Sequence, residues 1–246
     1  DVCSSDLFYL FFIASTFGII SSWGQIKTTD IILNNGSSYS KVFDYSSSAK
    51  LKHLNAKEWI AKTFGDYKSV LQFEDEDNYK LIIKGFSNLM TENSNGAGGL
   101  VTIVEKPKMN FVLTIDCKDD RYRVKIEDIS FDVNTKFTLL GNTNNSSKKY
   151  DYYGFTKNDS LTYALKIADV YKKIKDLESV DLSSLKKKEL KKHNEELAAQ
   201  QKLLVSETEA QKKQIIKAKG RAILVQSTIC DLMNSLCEAI EKKDDF

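Results

Sequence analysis

The sequence predicts an α+β protein: an antiparallel sheet with helices packed on one face, followed by a C-terminal helical extension. Three observations predict it. Between Met109 and Val133 apolar and polar residues alternate through two successive runs, the period of a half-buried strand. Ahead of them Leu51, Leu54, Trp59, Ile60 and Phe64 keep helical spacing. Beyond Asn158 there is no proline, Gly220 is the one glycine, and Lys, Glu, Leu and Gln dominate, which is a helical composition.

The chain opens DVCSSDLFYLFFIAS, without an initiator Met. Back-translated, Asp1–Leu7 resembles the end of a short-read sequencing adapter. Residues 1–24 are therefore read as a scar joined to a truncated signal peptide and set aside from the fold. The apolar run from Phe8 to Ile20 is shorter than the roughly 20 residues of a membrane span and suits a signal-peptide core. Ser22-Trp23-Gly24 puts small residues at −3 and −1, making Gln25 the expected mature N-terminus, with no stable membrane span left after cleavage. Residues 25–40 are polar and Ser/Asn-rich, and are expected to be a flexible lead-in.

Residues 41–155 hold the predicted α+β domain. Val42–Tyr45 is a short strand, and the following Ser-rich stretch can cap the helix that Gly65-Asp66 ends. In SVLQFE, Val70, Gln72 and Glu74 alternate against Leu71 and Phe73; the acidic Glu74–Asp77 run then turns the chain into the strand YKLIIKGFSNL. Asn95–Gly99 is a loop. Phe111, Leu113, Ile115 and Cys117 share one face of the next strand, and Tyr122, Val124 and Ile126 the same face of its return, with Arg121, Arg123, Lys125 and Glu127 outward. This one-sided pattern suits an antiparallel sheet covered on one side. FTLLGNTNNSSKKYDYYGF adds a last hairpin.

Residues 156–217 form a polar helical insertion. Its first helix, from Asn158 to Leu177, carries a stripe of Leu161, Leu165, Ala168 and Tyr171. VDLSS breaks it, with Ser183 or Ser184 as the next cap. Leu190, Leu197 and Leu204 then recur at sevens with Asn194, Gln201 and Thr208 between them, a polar coiled-coil seam that offers self-association through residues 185–217. Residues 218–246 complete a terminal amphipathic helix whose stripe, from Ile215 and Ala218 through Val225, Ile229, Leu232 and Leu236 to Ala239, needs a cover; the Phe111/Leu113/Ile115 face supplies it.

Charge and cysteine content narrow the function classes. The chain has 36 basic and 34 acidic residues, and removing residues 1–24 takes away Asp1 and Asp6. No global basic field marks a nucleic-acid binder, so no nucleic-acid partner is expected. Cys117, Cys230 and Cys237 form no small-domain disulfide framework. Cys230 and Cys237 stand about 10 Å apart along a helix, too far to bond each other. They read as buried thiols, with a bond from Cys117 to Cys230 or Cys237 left open.

The stretch NAKEWIAKTFGDYKSVLQFEDEDNYKLIIKG, followed by FVLTIDCKDDRYRVKIEDI, resembles a family of domains of unknown function with a TATA-box-binding-protein-like (TBP-like) fold. The likeness spans about residues 41–132. It implies a curved antiparallel sheet with helices on one face, and export in a Gram-negative bacterium, to the periplasm or outer envelope. It implies no activity or catalytic residue, and residues 156–217 depart from its simple pattern.

Catalytic constellations are missing from the sequence. His53 and His193 lie on different helices, and there is no P-loop, HExxH or G-x-S-x-G. Asn95–Gly99 lacks the Lys-Ser/Thr of a phosphate cradle, and Glu74–Asp77 lacks the spaced ligands of a calcium loop. No enzyme activity, cofactor or metal is expected. The candidate binding surface is the open face of the sheet: Gln72, Lys84, Thr114, Asp116, Arg123 and Lys125, with Arg121 at the strand start within reach of Asp119 or Asp120. The expected role is an exported, non-catalytic envelope module that binds a protein or a small ligand. The alternatives are a carrier with a pocket between the sheet and the terminal helix, near Phe111, Cys117 and Cys230, and an enzyme of unrecognised type.

Overall fold

A computed structural model describes residues 25–34, 37–96, 100–157 and 160–242. The expected scar, signal peptide and cleavage site lie outside the described residues. The spine is one long hairpin. Strands β5 (Val101–Lys118) and β6 (Arg121–Leu139) pair antiparallel across the Asp119-Asp120 turn. At 3.3 Å per residue they run about 60 Å. Five further strands dress this hairpin at two levels: β1 (Tyr39–Asp44), β2 (Leu71–Asp75), β3 (Lys80–Asn88), β4 (Glu92–Gly96) and β7 (Asn142–Asp151). Near the turn, the base of the sheet, the order is β2-β3-β5-β6-β1. Farther out, at the tip, β4 flanks β5 and β7 flanks β6. A bulge separates the levels, where Phe111 faces both Asp128 and Ile129 and Asp128 takes a φ of 53°. The described residues thus build the predicted α+β fold, a curved antiparallel sheet of seven strands with its helices on one side.

The alternation read between Met109 and Val133 decides which side is covered. Leu81, Ile83, Phe111, Leu113, Ile115, Cys117, Tyr122, Val124 and Ile126 are all buried on one face. Against them lies α1 (Ala49–Phe64), which Ser48 starts by accepting from the Leu51 amide and Gly65 ends at a φ of 74°. A one-turn helix, α2 (Tyr67–Val70), links it to β2. Gly85 lets the layers close: a Cβ there would sit 2.8 Å from the Phe111 ring and 2.9 Å from the Phe64 ring. After β7, the one-turn α3 (Tyr152–Phe155) stacks Phe155 on Phe131 at 4.2 Å.

The last two helices are α4 (Ser160–Glu178) and α5 (Lys187–Ile240). No break falls at 217/218. The expected insertion and terminal helix share one 54-residue helix, about 80 Å long. Its last third buries Val225, Ile229 and Leu236 of the expected stripe in the core shared with the sheet and α1, with Met233 and Ile240 buried where the stripe named the half-buried Leu232 and Ala239. Trp59 Nε1 donates to Ser235 Oγ, and Tyr45 OH to the Glu241 carbonyl. Its first part forms an antiparallel arm with α4.

Four expectations change. The 25–40 lead-in is a packed strap: Ile26 and Ile31 are buried, Cys230 Sγ and Asn234 Nδ2 donate to the Ile26 carbonyl, and Gln226 donates to that of Ile31. Two isoleucines in an otherwise polar run are enough to fasten it. In α4 the inward face is Tyr163, Ile167, Val170, Ile174 and Leu177, while Leu165 and Tyr171 face solvent. That face meets the half-buried Leu190, Leu197 and Leu204, so the seam expected to seek a second copy is engaged within the chain. The start of α5 is held not by Ser183 or Ser184 but by Glu189, whose carboxylate accepts from the Lys186 amide. Finally, a bulge at Gln72 breaks the β2 alternation, sending Leu71 to the core face opposite Ile83 and Phe73 to the open face opposite Ile82.

Candidate functional site

The strand registers place side chains on the open face in rows across the sheet. At the base, one row reads Asp75, Lys80, Asp116, Arg123, Val42, and the next reads Phe73, Ile82, Thr114, Lys125, Ser40. A third holds Lys84, Val112 and Glu127. Lys84, Thr114, Asp116, Arg123 and Lys125 therefore share the face expected of them. Their charges are largely spent on one another. Arg123 grips Asp116 Oδ2 with Nε at 3.0 Å and Nη2 at 2.7 Å, Lys80 adds a contact at 3.9 Å, and Lys125 meets Glu127 at 2.5 Å. Thr114 is buried between its cross-strand neighbours Ile82 and Lys125 and offers no free hydroxyl surface. Gln72 stands at the bulge and donates to the Leu71 carbonyl. Arg121 forms no ion pair among the described residues. Asp119, its expected partner, instead accepts from the Ala49 amide at the start of α1.

Two polar groups beneath the base are structural. Lys52 is fully buried, and its Nζ donates to the carbonyls of Tyr45, Ser47 and Asp119 at 2.5–2.8 Å. Burial lowers its pKa, while the charges of Cys117, Asp119 and Asp120 oppose the shift. On the outer edge of α1, Glu74 accepts from Tyr67 OH at 3.0 Å and pairs with Lys57 at 2.6 Å, with His53 Nε2 3.8 Å away. Burial holds His53 below its usual value and pushes the Tyr67 phenol up, helped by the bond to Glu74. Glu74 thus points at α1 rather than joining Asp75–Asp77, and among the described residues no group of three His, Cys, Asp or Glu is placed to hold a metal ion.

The three thiols are free. Burial pushes Cys117 up to about 12 and Cys237 up to about 11, so both stay protonated at neutral pH. Phe111, Cys117 and Cys230, named for a carrier pocket, lie in the continuous core, where the contact over Gly85 leaves no room even for a methyl group.

The tip of the open face differs. Its rows are Lys108–Asp132–Lys149, then Lys106–Asn134–Ser147, then Val104–Lys136–Asn145. Two adjoining cups, about 540 and 460 Å³, open along these rows and share Lys106, Asn134 and Ser147. Asp132 is the acid of this surface. It accepts from Asn110 at 2.9 Å and meets Lys108 at 3.8 Å, and Lys108 also lies over the Phe86 ring. On the covered side of the tip, Arg221 and Lys217 of α5 pair with Glu92 and Glu105 at 2.6–3.1 Å. Burial alone would push Glu92 up, but the bonds from Arg221 and Lys217 outweigh it and hold the carboxyl below its usual value.

The β1-to-β6 core of this arrangement matches a known family model. Residues 39–132 match a domain of unknown function (DUF4468) with TBP-like fold. Over these residues the chain is similar to that family. The match ends where the tip extension, the arm and the closing helix take over. Among solved structures, a DUF4468 family protein from Bacteroides ovatus ATCC 8483 is 14% identical over 88% of this chain and 93% of its own, with a TM-score of 0.43. A TBP-like protein from Parabacteroides distasonis ATCC 8503 is 16% identical over 74% and 96%, with a TM-score of 0.33. No curated protein matches the chain.

Sequence reasoning placed the site at the base and passed over Lys106, Lys108, Lys136 and Lys149. The signal was present: residues 93–104 and 133–150 contain no Asp or Glu. It goes unread because Phe137–Phe155 reads as a hairpin of its own, with no register to align its lysines with Lys106.

Proposed function

We propose that the protein is an exported, non-catalytic binding module of the bacterial envelope whose anionic ligand lies along the tip half of the open face. The observation that carries this reading is the uncompensated charge there. Lys106, Lys136 and Lys149 face solvent beside two cups with Asp132 as their acidic counterpart, whereas at the base Asp116 and Glu127 take up Arg123 and Lys125. A one-signed surface attracts a ligand of the opposite sign and speeds its encounter. Asn134, Asn145 and Ser147 add neutral hydrogen-bonding groups that can orient an oxygen-rich anion. Export is supported by the apolar Phe8–Ile20 run and the small residues Ser22 and Gly24.

Inorganic polyphosphate, labelled for fluorescence anisotropy, tests the ligand site. Lys106→Glu/Lys136→Glu should weaken binding about tenfold or more, and Lys84→Glu at the base less than about threefold. Equal losses from both, or no binding by the parent protein, refute the reading. Intact mass of the protein from fractionated parent cells tests export: a periplasmic chain beginning at Gln25 is expected, and a cytosolic chain retaining residues 1–24 overturns it.

A further inference from the structure

We infer that the tip of the sheet docks on a lipid surface bearing anionic headgroups, with Leu100, Leu139 and Leu140 entering the boundary between headgroups and acyl chains. This rests on the module reading and names its ligand. The far end of the sheet carries three leucines with 56%, 43% and 67% of their surface exposed. The Leu140 amide donates to the Leu100 carbonyl at 3.0 Å, which holds the two strand ends together at the apex. The connection Leu140-Gly141 has φ values of 48° and 84°, the two-residue turn in which Asn-Gly or Asp-Gly is favoured. A leucine in that conformation is strained and gains no burial in return. Neither folding nor solubility selects it, and an apolar contact made by the apex does.

Charge names the occupant. An apolar partner protein would leave the lysines without a role, but a bilayer with anionic headgroups uses both features at once. Lys136 lies three residues from Leu139, about 10 Å down the strand, and Lys106, opposite Asn134, about 7 Å farther. With the strands standing steeply on the interface and the apex a few ångströms into it, Leu139 enters from the covered face while Lys136 on the open face reaches the phosphate layer, with Lys106 above it. The 460 Å³ cup between Lys106 and Lys136 has room for a headgroup. The absence of acidic residues from 93–104 and 133–150 removes the repulsion that an anionic surface would otherwise exert. Among the described residues no helix is long and apolar enough to cross a membrane.

The test uses the chain from Gln25 to Phe246, which contains every described element and omits the Phe8–Ile20 run. Vesicles of phosphatidylcholine alone, and with about one-third phosphatidylglycerol, are sedimented with it. Binding should be about tenfold stronger to the anionic vesicles. Leu139→Thr/Leu140→Asn should cut that binding about tenfold while leaving polyphosphate binding unchanged, because its lysines remain. Asn suits the left-handed turn and Thr a strand, so the variant is expected to fold, which its thermal midpoint checks. Lys106→Glu/Lys136→Glu should lose both ligands. If the parent binds polyphosphate but not vesicles, the lipid inference fails and the module reading stands. Binding to neither ends both, and vesicle binding undiminished by the leucine changes overturns docking through the tip.

Discussion

The base and the tip of the β5–β6 hairpin are two ends of the same two strands, yet they are stabilised by different means. At the base, the covered face is closed by α1 and the end of α5, and the open face pairs Asp116 with Arg123 and Glu127 with Lys125. At the tip, apolar cover thins, four charges clamp α5 to β4 and β5, and the open-face lysines outnumber their acidic counterpart. A surface that must only stay folded can settle its charges internally.

The sharpest way to probe the base is to remove the ammonium that ties β1, α1 and the β5–β6 turn together. Lys52→Met keeps the apolar stem but takes one donor from each of three carbonyls, of which that of Asp119 still accepts from the Ser47 amide, and should cost about 2–3 kcal/mol in urea unfolding. A loss below about 1 kcal/mol would mean that water replaces the ammonium and that the base is looser than described. At the tip, Arg221→Met leaves Glu92 and Glu105 with Lys217 as their one remaining cation and should cost about 2 kcal/mol at pH 7. Its pH dependence separates charge from packing. Glu92 is held below its ordinary value of 4.5, so its contribution is present above that pH and fades as pH falls through the lower folded value. The gap between parent and variant should therefore narrow on acidification below about pH 4.5, and a constant gap would assign the loss to packing on Phe155.

Smaller effects sharpen the contrast further. Gly85→Ala forces a methyl group against the Phe111 and Phe64 rings and should cost about 1–3 kcal/mol, read from the thermal midpoint. Arg123→Ala at the base should cost about 0.5 kcal/mol by leaving Asp116 with the longer Lys80 contact alone, whereas Lys136→Ala at the tip should stay within about 0.5 kcal/mol of the parent or gain slightly as like charges separate. If Lys136→Ala destabilised as much as Arg123→Ala, the two halves would not differ in the way their rows imply.

The base was legible in the sequence because its strands obey one rule. Phe111, Leu113, Ile115 and Cys117 go in, and Arg121, Arg123, Lys125 and Glu127 go out, since period-two alternation records burial on one side. The covering stripe of α5 was legible for the same reason at helical period. The α4 stripe was not: Leu165 and Tyr171 fit a helical repeat as well as Val170 and Ile174 do, and only the position of α5 chooses between the two faces. The strap at Ile26 and Ile31 was hidden because it is anchored by Asn234 and Gln226, more than 190 positions away. The candidate site was half legible. Residue types put Lys84, Thr114, Asp116, Arg123 and Lys125 on one face, where the registers also place them, but which lysines lack counter-charges depends on register, and a bulge such as that at Gln72 resets register without a mark in the composition.

The helix α5 closes the core with its last third and carries the arm with its first. Between Lys187 and the clamp at Lys217 lie 30 residues, a mast of about 45 Å with its foot set in the sheet. No hinge separates mast from foot. A sideways pull on the arm therefore becomes torque on Lys217, Arg221 and the two glutamates that hold them, and a rotation of a few degrees there swings the far end by several ångströms. Whatever grasps the arm also has leverage on the tip.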